Sequence, residues 1–478
     1  MKGLAIVLLA SVALSGVSHS ADLPTQKAAE QPAAKLNCWG SFWDWLNASV
    51  SDCPLTYAGI TLYGNLDGGY GYETHGAPGN PSADKVNYVI QKNSGNTHWL
   101  WSPNALSTSV IGVKMKEELG YGWSLIGVVE AGFNPYSGML INGPRSRADN
   151  NVNKSANQTA NFDSSRAGQW DNSQGFLGFS SPVSGTLTFG RTNSLTQDAQ
   201  GAYDPVASTA FSLIGFAASF AGFGNSPTVR SNTAFTYRLT YQNFRVAAQA
   251  QVGGYNVGNA SNGQYQVQLG ADFGDLTVDG VANWTKDAAA LASYSGSPPA
   301  GYDVNSVLKA TLSNAAGVEL MARYKWGQFK FYGGYIYARL MNPSDDYPDG
   351  FPTIAQGIFV PPGAVTSNAY NVNRILNTVW TGVRYSVWSN LDLAAGVYYR
   401  TQNDYLPAPA VCTGTGINIG SSKCAGSEGA VSFLIDYKPV KRVDLYAGVM
   451  ASDVWGGIAN GYLYPQNIDP TVGLRIRF

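Results

Sequence analysis

Charge is scarce in this chain. Asp, Glu, Lys and Arg make up 13% of its 478 residues, about half of the roughly one quarter usual in soluble domains. The formal net charge is −1, so the chain lacks the broad basic field that a nucleic-acid partner calls for. Histidine is limited to 3 residues, His19, His75 and His98. The first lies in a leader-like segment, and the other two fall in one expected loop without a nucleophile motif beside them. That leaves little for His-based catalysis, and no enzyme activity, metal or cofactor is expected. Long apolar runs are missing as well. After the first 20 residues the longest, 211–223, is broken by Gly and Ser and is too short for a spanning helix.

Cysteine is confined to two local pairs, Cys38 with Cys53 and Cys412 with Cys424. In an oxidising compartment such pairs read as disulfides, each closing a short loop and contributing about 3 kcal/mol in the chain-entropy model. Free thiols are the alternative reading, and no histidine accompanies either pair to suggest a metal. The compartment follows from residues 1–20. Lys2 supplies a positive start, 3–17 are apolar or small, and Ser18 and Ser20 suit cleavage before Ala21, the pattern of a secretory signal. Residues 21–56 read as a periplasmic head. Within it, Trp39, Phe42, Trp43 and Leu46 have helical spacing, which predicts a short disulfide-clipped knob packed against the end of the main domain, 57–478.

What replaces charge is glycine (55 residues), aromatics and small polar residues. From Ile60 onward they fall into segments of period two. In the last one, Val472, Leu474, Ile476 and Phe478 share one face, while Gly473, Arg475 and Arg477 share the other. Phe235, Tyr237, Leu239 and Tyr241 alternate with Thr236, Arg238 and Thr240 in the same way. One oily face and one wet face, repeated over so many segments, suit strands that meet lipid outside and water inside. Aromatics cluster at segment ends, as at Trp326, Tyr385 and Trp388, which fits interfacial girdles. A terminal strand has an open edge unless it pairs, so we expect the last segment to close a barrel against the first.

Connections between segments alternate long and short. Long ones are expected near 71–106, 134–173, 192–229, 254–263, 286–316, 341–373, 402–427 and 453–469. Residues 304–312 could form a further strand. Counting it would break the alternation, so it is placed in a loop. The fold class is then all-β: a 16-stranded antiparallel transmembrane β-barrel, with 18 strands as the alternative.

Several stretches carry a resemblance to a known family. They are Ile60-Thr-Leu-Tyr-Gly64, Glu130-Ala-Gly-Phe-Asn134, Gly185-Thr-Leu-Thr-Phe-Gly-Arg191, Tyr203-Asp-Pro205, Arg230-Ser-Asn-Thr233, 324–334 and terminal Phe478. Over residues 58–478 the chain resembles the general porins of Gram-negative bacteria, most closely the alphaproteobacterial ones. The resemblance implies a multi-pass barrel of the outer membrane, in contact with its lipids and lipopolysaccharide. It further implies a homotrimer that passes small hydrophilic solutes and ions, with the third loop folded inward to narrow the pore. Here that loop would be 192–229, whose apolar run 210–216 would be hard to place in outside water. Its charges, Asp198 and Asp204, would face a basic wall. Candidates for that wall are Lys114, Arg230, Arg238 and Arg245, with further inward positions at Lys116, Arg323, Lys325, Lys330, Arg384 and Arg400. Arg191 resembles the family's wall arginine, although strict alternation puts it with Leu187 and Phe189 on the lipid side. A substrate-specific channel, such as one for sugars, is the main rival. It would need lumen aromatics, for which Tyr332, Trp380 and Tyr398 are candidates. A non-conducting structural or binding barrel is the other.

Overall fold

The computed structural model describes residues 38–75, 97–138, 140, 172–215, 229–252, 263–293, 296–302, 307–355, 358–367, 370, 372–460 and 462–478. The expected leader, 1–20, and the first part of the head, 21–37, lie outside them.

Sixteen long strands form one closed antiparallel barrel. The first eight are β1 Ile60–Glu73, β2 Ser109–Gly120, β3 Trp123–Phe133, β4 Gln174–Ser181, β5 Gly185–Asn193, β6 Arg230–Tyr241, β7 Phe244–Gln251 and β8 Gln264–Phe273. The second eight are β9 Leu276–Ser293, β10 Leu308–Trp326, β11 Phe329–Met341, β12 Arg374–Trp388, β13 Leu391–Gln402, β14 Gly426–Val440, β15 Val443–Gly456 and β16 Thr471–Arg477. Each pairs with its neighbours in chain order, and β16 pairs back onto β1 from Asn65↔Arg477 to Gly71↔Thr471. The terminal residue completes the ladder: Gly64 and Phe478 exchange both backbone hydrogen bonds, at 3.0 and 2.9 Å. Below this pair the same edge of β1 is taken by a short strand, Leu55–Tyr57, paired with Ile60–Leu62. The seam is thus covered from both chain ends.

The two faces separate as period-two patterning requires. On β1, Ile60, Leu62, Leu66 and Tyr70 are exposed on the outer face, whereas Asp67 is fully buried on the inner one. Exposed Trp326 and Phe329 and half-buried Tyr385 sit beside the short turns, with Phe329 stacked on both Trp326 and Tyr385. At the opposite end Tyr70, Trp99, Trp101 and Tyr136 form a contiguous outer cluster. Two aromatic belts flanking an apolar band are what a bilayer selects at its interfaces.

One expected loop is corrected. The connection placed at 286–316 is far shorter, because β9 continues to Ser293 and β10 begins at Leu308. Residues 308–312 join β10 as its first turn-distal residues, so they add no strand and the alternation survives. An irregularity between Thr285 and Ala288 shifts the register and lets the two strands stay paired beyond it, as at Leu291↔Ala310. A further short strand, Val365–Ser367, covers the other edge of this extension.

The knob of the head is a six-residue helix, α1 Phe42–Asn47. Ser41 caps it by accepting from the Asp44 N–H at 3.1 Å, and the Cys38–Cys53 disulfide clips its ends together. The aromatic side expected to pack on the barrel does not: Trp39, Phe42 and Trp43 are exposed. Docking runs instead through Arg442 in the β14–β15 turn. Its guanidinium donates to the carbonyls of Trp45 (2.8 Å), Ser49 (3.2 Å) and Cys53 (2.7 Å) and lies 4.3 Å from the centre of the Trp45 ring. A cation is favoured there because the carbonyls past a helix end are otherwise unpaired. Lys441 adds an ion pair to Asp52 at 3.3 Å. We predict that Arg442→Ala weakens docking of the head by about 2–4 kcal/mol, since each hydrogen bond to a charged group is worth roughly 1.5–3 kcal/mol. Limited proteolysis of the folded barrel should then cut within 38–54 much faster, and an unchanged cutting rate would contradict this account.

Candidate functional site

The third long loop follows β5 and turns into the barrel. It opens with α2, Leu195–Tyr203, whose N-cap Ser194 accepts from the Gln197 N–H at 3.2 Å. Leu195, Ala199 and Tyr203, spaced by four, are all buried. The helix stops at Asp204 because Pro205 disfavours helical backbone at the residue before it. Beyond it Val206, Ala210, Phe211, Leu213 and Ile214 are also buried. Their partners lie on the inner wall: Ala247 on β7, Val281 on β9, Met321 on β10, Ile336 on β11, Trp380 on β12, Ala394 on β13, Leu434 on β14 and Met450 on β15. The apolar run thus finds its dry contact inside the barrel. Each fully buried side chain of this size contributes about 1.5–3 kcal/mol, so the described part of the loop, up to residue 215, is a packed layer.

Polar ties set its path. Gln200 donates to Glu319 at 3.1 Å, and the Tyr203 hydroxyl donates to Asp279. Trp380 donates to the Tyr203 carbonyl at 3.0 Å, and Arg384 donates twice to the Pro205 carbonyl. Ser432 holds the Phe211 carbonyl, and Ala210 N–H reaches Ala105 O at 2.7 Å. Glycines in the wall provide the seats. A Cβ at Gly448 would overlap the Phe211 ring, and one at Gly382 would overlap Pro205.

The seven charged positions expected at a constriction divide sharply. Asp198 stays accessible and forms an ion pair with Arg238 at 2.5 Å, with side-chain exposures of 37% and 40%; Asn193 also donates to it at 2.9 Å. Lys114 is exposed and lies 5.6 Å from the centre of the Tyr63 ring. Tyr63 donates to Glu130 at 2.9 Å, Ser173 donates to the same carboxylate, and Arg230 donates to Ser173 at 3.3 Å. Lys114 and Arg230 are therefore the two ends of one polar belt across the wall of β1–β6. Arg245 is paired with Asp272 and Asp279.

Asp204 and Arg191 are placed otherwise. Asp204 is 2% exposed; it accepts from Tyr398 at 2.6 Å and from the Ser208 N–H at 2.6 Å. It fastens the loop to β13. Arg191 is 1% exposed and donates to the Asn172 carbonyl and the Asn232 side chain. Pairing of β5 with β6 jumps register between Gly190 and Thr192, and this bulge removes Arg191 from the lipid face that strict alternation assigns it. The result is a tie between the second loop and β6. The inward aromatics Tyr332, Trp380 and Tyr398 are present but buried beneath the loop, so they form no accessible row. Sequence reasoning also missed Glu319, Asp279, Gln249 and Gln266 as loop or wall partners. Their parity on β10, β9, β7 and β8 was the available signal.

The Cys412–Cys424 disulfide is formed, with Cα atoms 5.7 Å apart. Among the described residues no group of three or more His, Cys, Asp or Glu could hold a metal ion.

A family model described as Gram-negative porin matches residues 5–455. No curated protein matches the chain. Among solved structures, the chain is similar to the anion-selective porin from Comamonas acidovorans, at 14% identity and TM-score 0.55, covering 88% of this chain and 99% of that one. It is also similar to a loop L8 deletion mutant of OmpT, an outer membrane protein of Vibrio cholerae, at 14% identity and TM-score 0.51, covering 88% and 99%. At these identities the likeness speaks for the fold.

Replacing Gly448 by Leu should push Phe211 off its seat and the loop toward the lumen, at a cost of about 1–3 kcal/mol for overpacking. The expected result in planar-bilayer recordings is a lower single-channel conductance with added closing flicker, and Gly448→Ala should give an intermediate effect.

Proposed function

The chain belongs to the Gram-negative porin family, and we propose that its conducting path runs between the inward loop and the wall of β1–β6. The protein is an outer-membrane channel and not an enzyme. One observation carries the proposed path. The described part of the loop packs mainly on β7–β15 and leaves Lys114, on the opposite wall, exposed to solvent, with Tyr63 and Arg230 half-buried beside it. Small hydrophilic solutes and ions pass between the two by passive diffusion.

The charges that such solutes meet are Asp198 and Arg238 at the loop, and Lys114 and Arg230 at the ends of the belt. Opposed charges on low-dielectric walls focus a field across a narrow opening. They orient dipolar solutes and bias ions, while width excludes larger molecules. Asp204 and Arg191 act indirectly, by holding the loop and the strand ends. A sugar-type aromatic row is disfavoured, because Tyr332, Trp380 and Tyr398 are taken up in loop packing.

The assembly we infer is a homotrimer set among outer-membrane lipids and lipopolysaccharide. The family supports it, and so does the outer aromatic cluster of Tyr70, Trp99 and Trp101, which suits a partner barrel or lipid. Light scattering of the detergent-solubilised protein should give three times the monomer mass; a monomer would remove this reading. For the path, Asp198→Asn should shift the permeability ratio toward anions by roughly twofold, and Lys114→Gln with Arg230→Gln should shift it toward cations. Reversal potentials in a salt gradient measure both, and unchanged values would place the path elsewhere.

A further inference from the structure

The strand ladders bring three cations into one row at the short-turn mouth of the barrel. Lys325 on β10 lies directly opposite Lys330 on β11, and Lys330 lies directly opposite Arg384 on β12. Directly opposed side chains have Cβ atoms about 4.5–5.5 Å apart, and like charges so placed repel. All three point into the lumen. Lys325 shares parity with Arg323, which donates to the Ala202 carbonyl of the inward loop. Lys330 shares parity with buried Tyr332, and Arg384 itself donates to the Pro205 carbonyl. The row sits within a few residues of the tight turn at Gly327 and Gln328.

Its neighbours show how unusual it is. Arg245 has Asp272 and Asp279, Lys438 has Asp392 and Asp436, and Arg475 and Arg477 share Asp444. Among the described residues no carboxylate lies within 4.0 Å of Lys325, Lys330 or Arg384. The backbone carbonyl of Asp275, in the adjacent turn, accepts from the Lys325 backbone N–H at 2.9 Å and leaves the ammonium untouched. Arg384 and Arg323 are fixed by loop carbonyls, while both ammonium groups are exposed and free to converge. Two oriented guanidinium groups and two adaptable ammonium groups are a donor set for an anion with several oxygens.

We propose that Arg323, Lys325, Lys330 and Arg384 form a binding site for small multivalent oxyanions at the periplasmic mouth of the channel. It rests on the channel reading above and adds a ligand class and a side. Relief of mutual repulsion drives binding, and exposure to water keeps it weak. A diffusion path needs such weak binding, since a solute held tightly would not leave. The site would gather anionic solutes arriving through the constriction and release them on the periplasmic side.

Isothermal titration of the full-length detergent-solubilised protein with inorganic pyrophosphate tests it independently of conductance. The expected result is saturable binding in the millimolar range. It should weaken about tenfold or more in Lys325→Gln with Lys330→Gln, a loss of roughly 1.4 kcal/mol, and persist in Lys325→Arg with Lys330→Arg. No saturable binding, or equal binding to the glutamine variant, overturns the proposal. In planar bilayers, pyrophosphate should block the open channel from the short-turn side and not from the loop side. Equal block from both sides overturns the placement at the mouth. A wild-type protein that binds pyrophosphate yet passes no ions would instead overturn the channel reading.

Discussion

Inside a hydrocarbon layer no water is present to take up a backbone N–H or C=O, so a spanning sheet must leave no edge. That constraint organises this molecule. It accounts for the pairing of β16 with β1 and for the terminal aromatic at the end of the ladder, where Phe478 and Gly64 exchange their backbone groups. It also explains the short strand Leu55–Tyr57, which covers the stretch of β1 that β16 does not reach. The head is then tied by Arg442 to the turn beside that seam. What looks like an appendage in the chain is joined to the point where the barrel closes.

Once the cylinder is closed, its interior is the remaining place where an apolar loop can leave water. The run from Val206 to Ile214 uses it. The consequence is an asymmetric lumen. Beneath the loop, the wall carries apolar and small inward residues, with Trp380 and Tyr398 hydrogen-bonded to it. Across from the loop, the wall carries a hydrogen-bonded polar belt. Neighbouring cations near the short turns are mostly balanced by carboxylates, which makes the Lys325, Lys330 and Arg384 row stand out as a place where, among the described residues, no carboxylate lies within 4.0 Å.

Much of the architecture was legible in the residues. Alternation along the strands, long and short connections and paired cysteines all come from local patterns, because period two and turn chemistry are properties of a few neighbouring residues; the inward loop came from the resemblance to a family. The site was less legible. Asp198 and Asp204 look equivalent in the chain, six residues apart, yet one meets Arg238 and the other is buried against Tyr398. Arg191 reads as lipid-facing until a one-residue register jump reassigns it. Tyr332, Trp380 and Tyr398 have the right parity for a solute path and are covered by the loop.

The chain by itself determined which faces are oily, where strands turn and which end closes on which, since each follows from the chemistry of adjacent residues. Tertiary structure alone decided which inward charges meet solvent, which hold the loop, and which stand side by side with like charges. Those outcomes depend on cross-strand register and on where the loop comes to rest, and neither is encoded within any one segment.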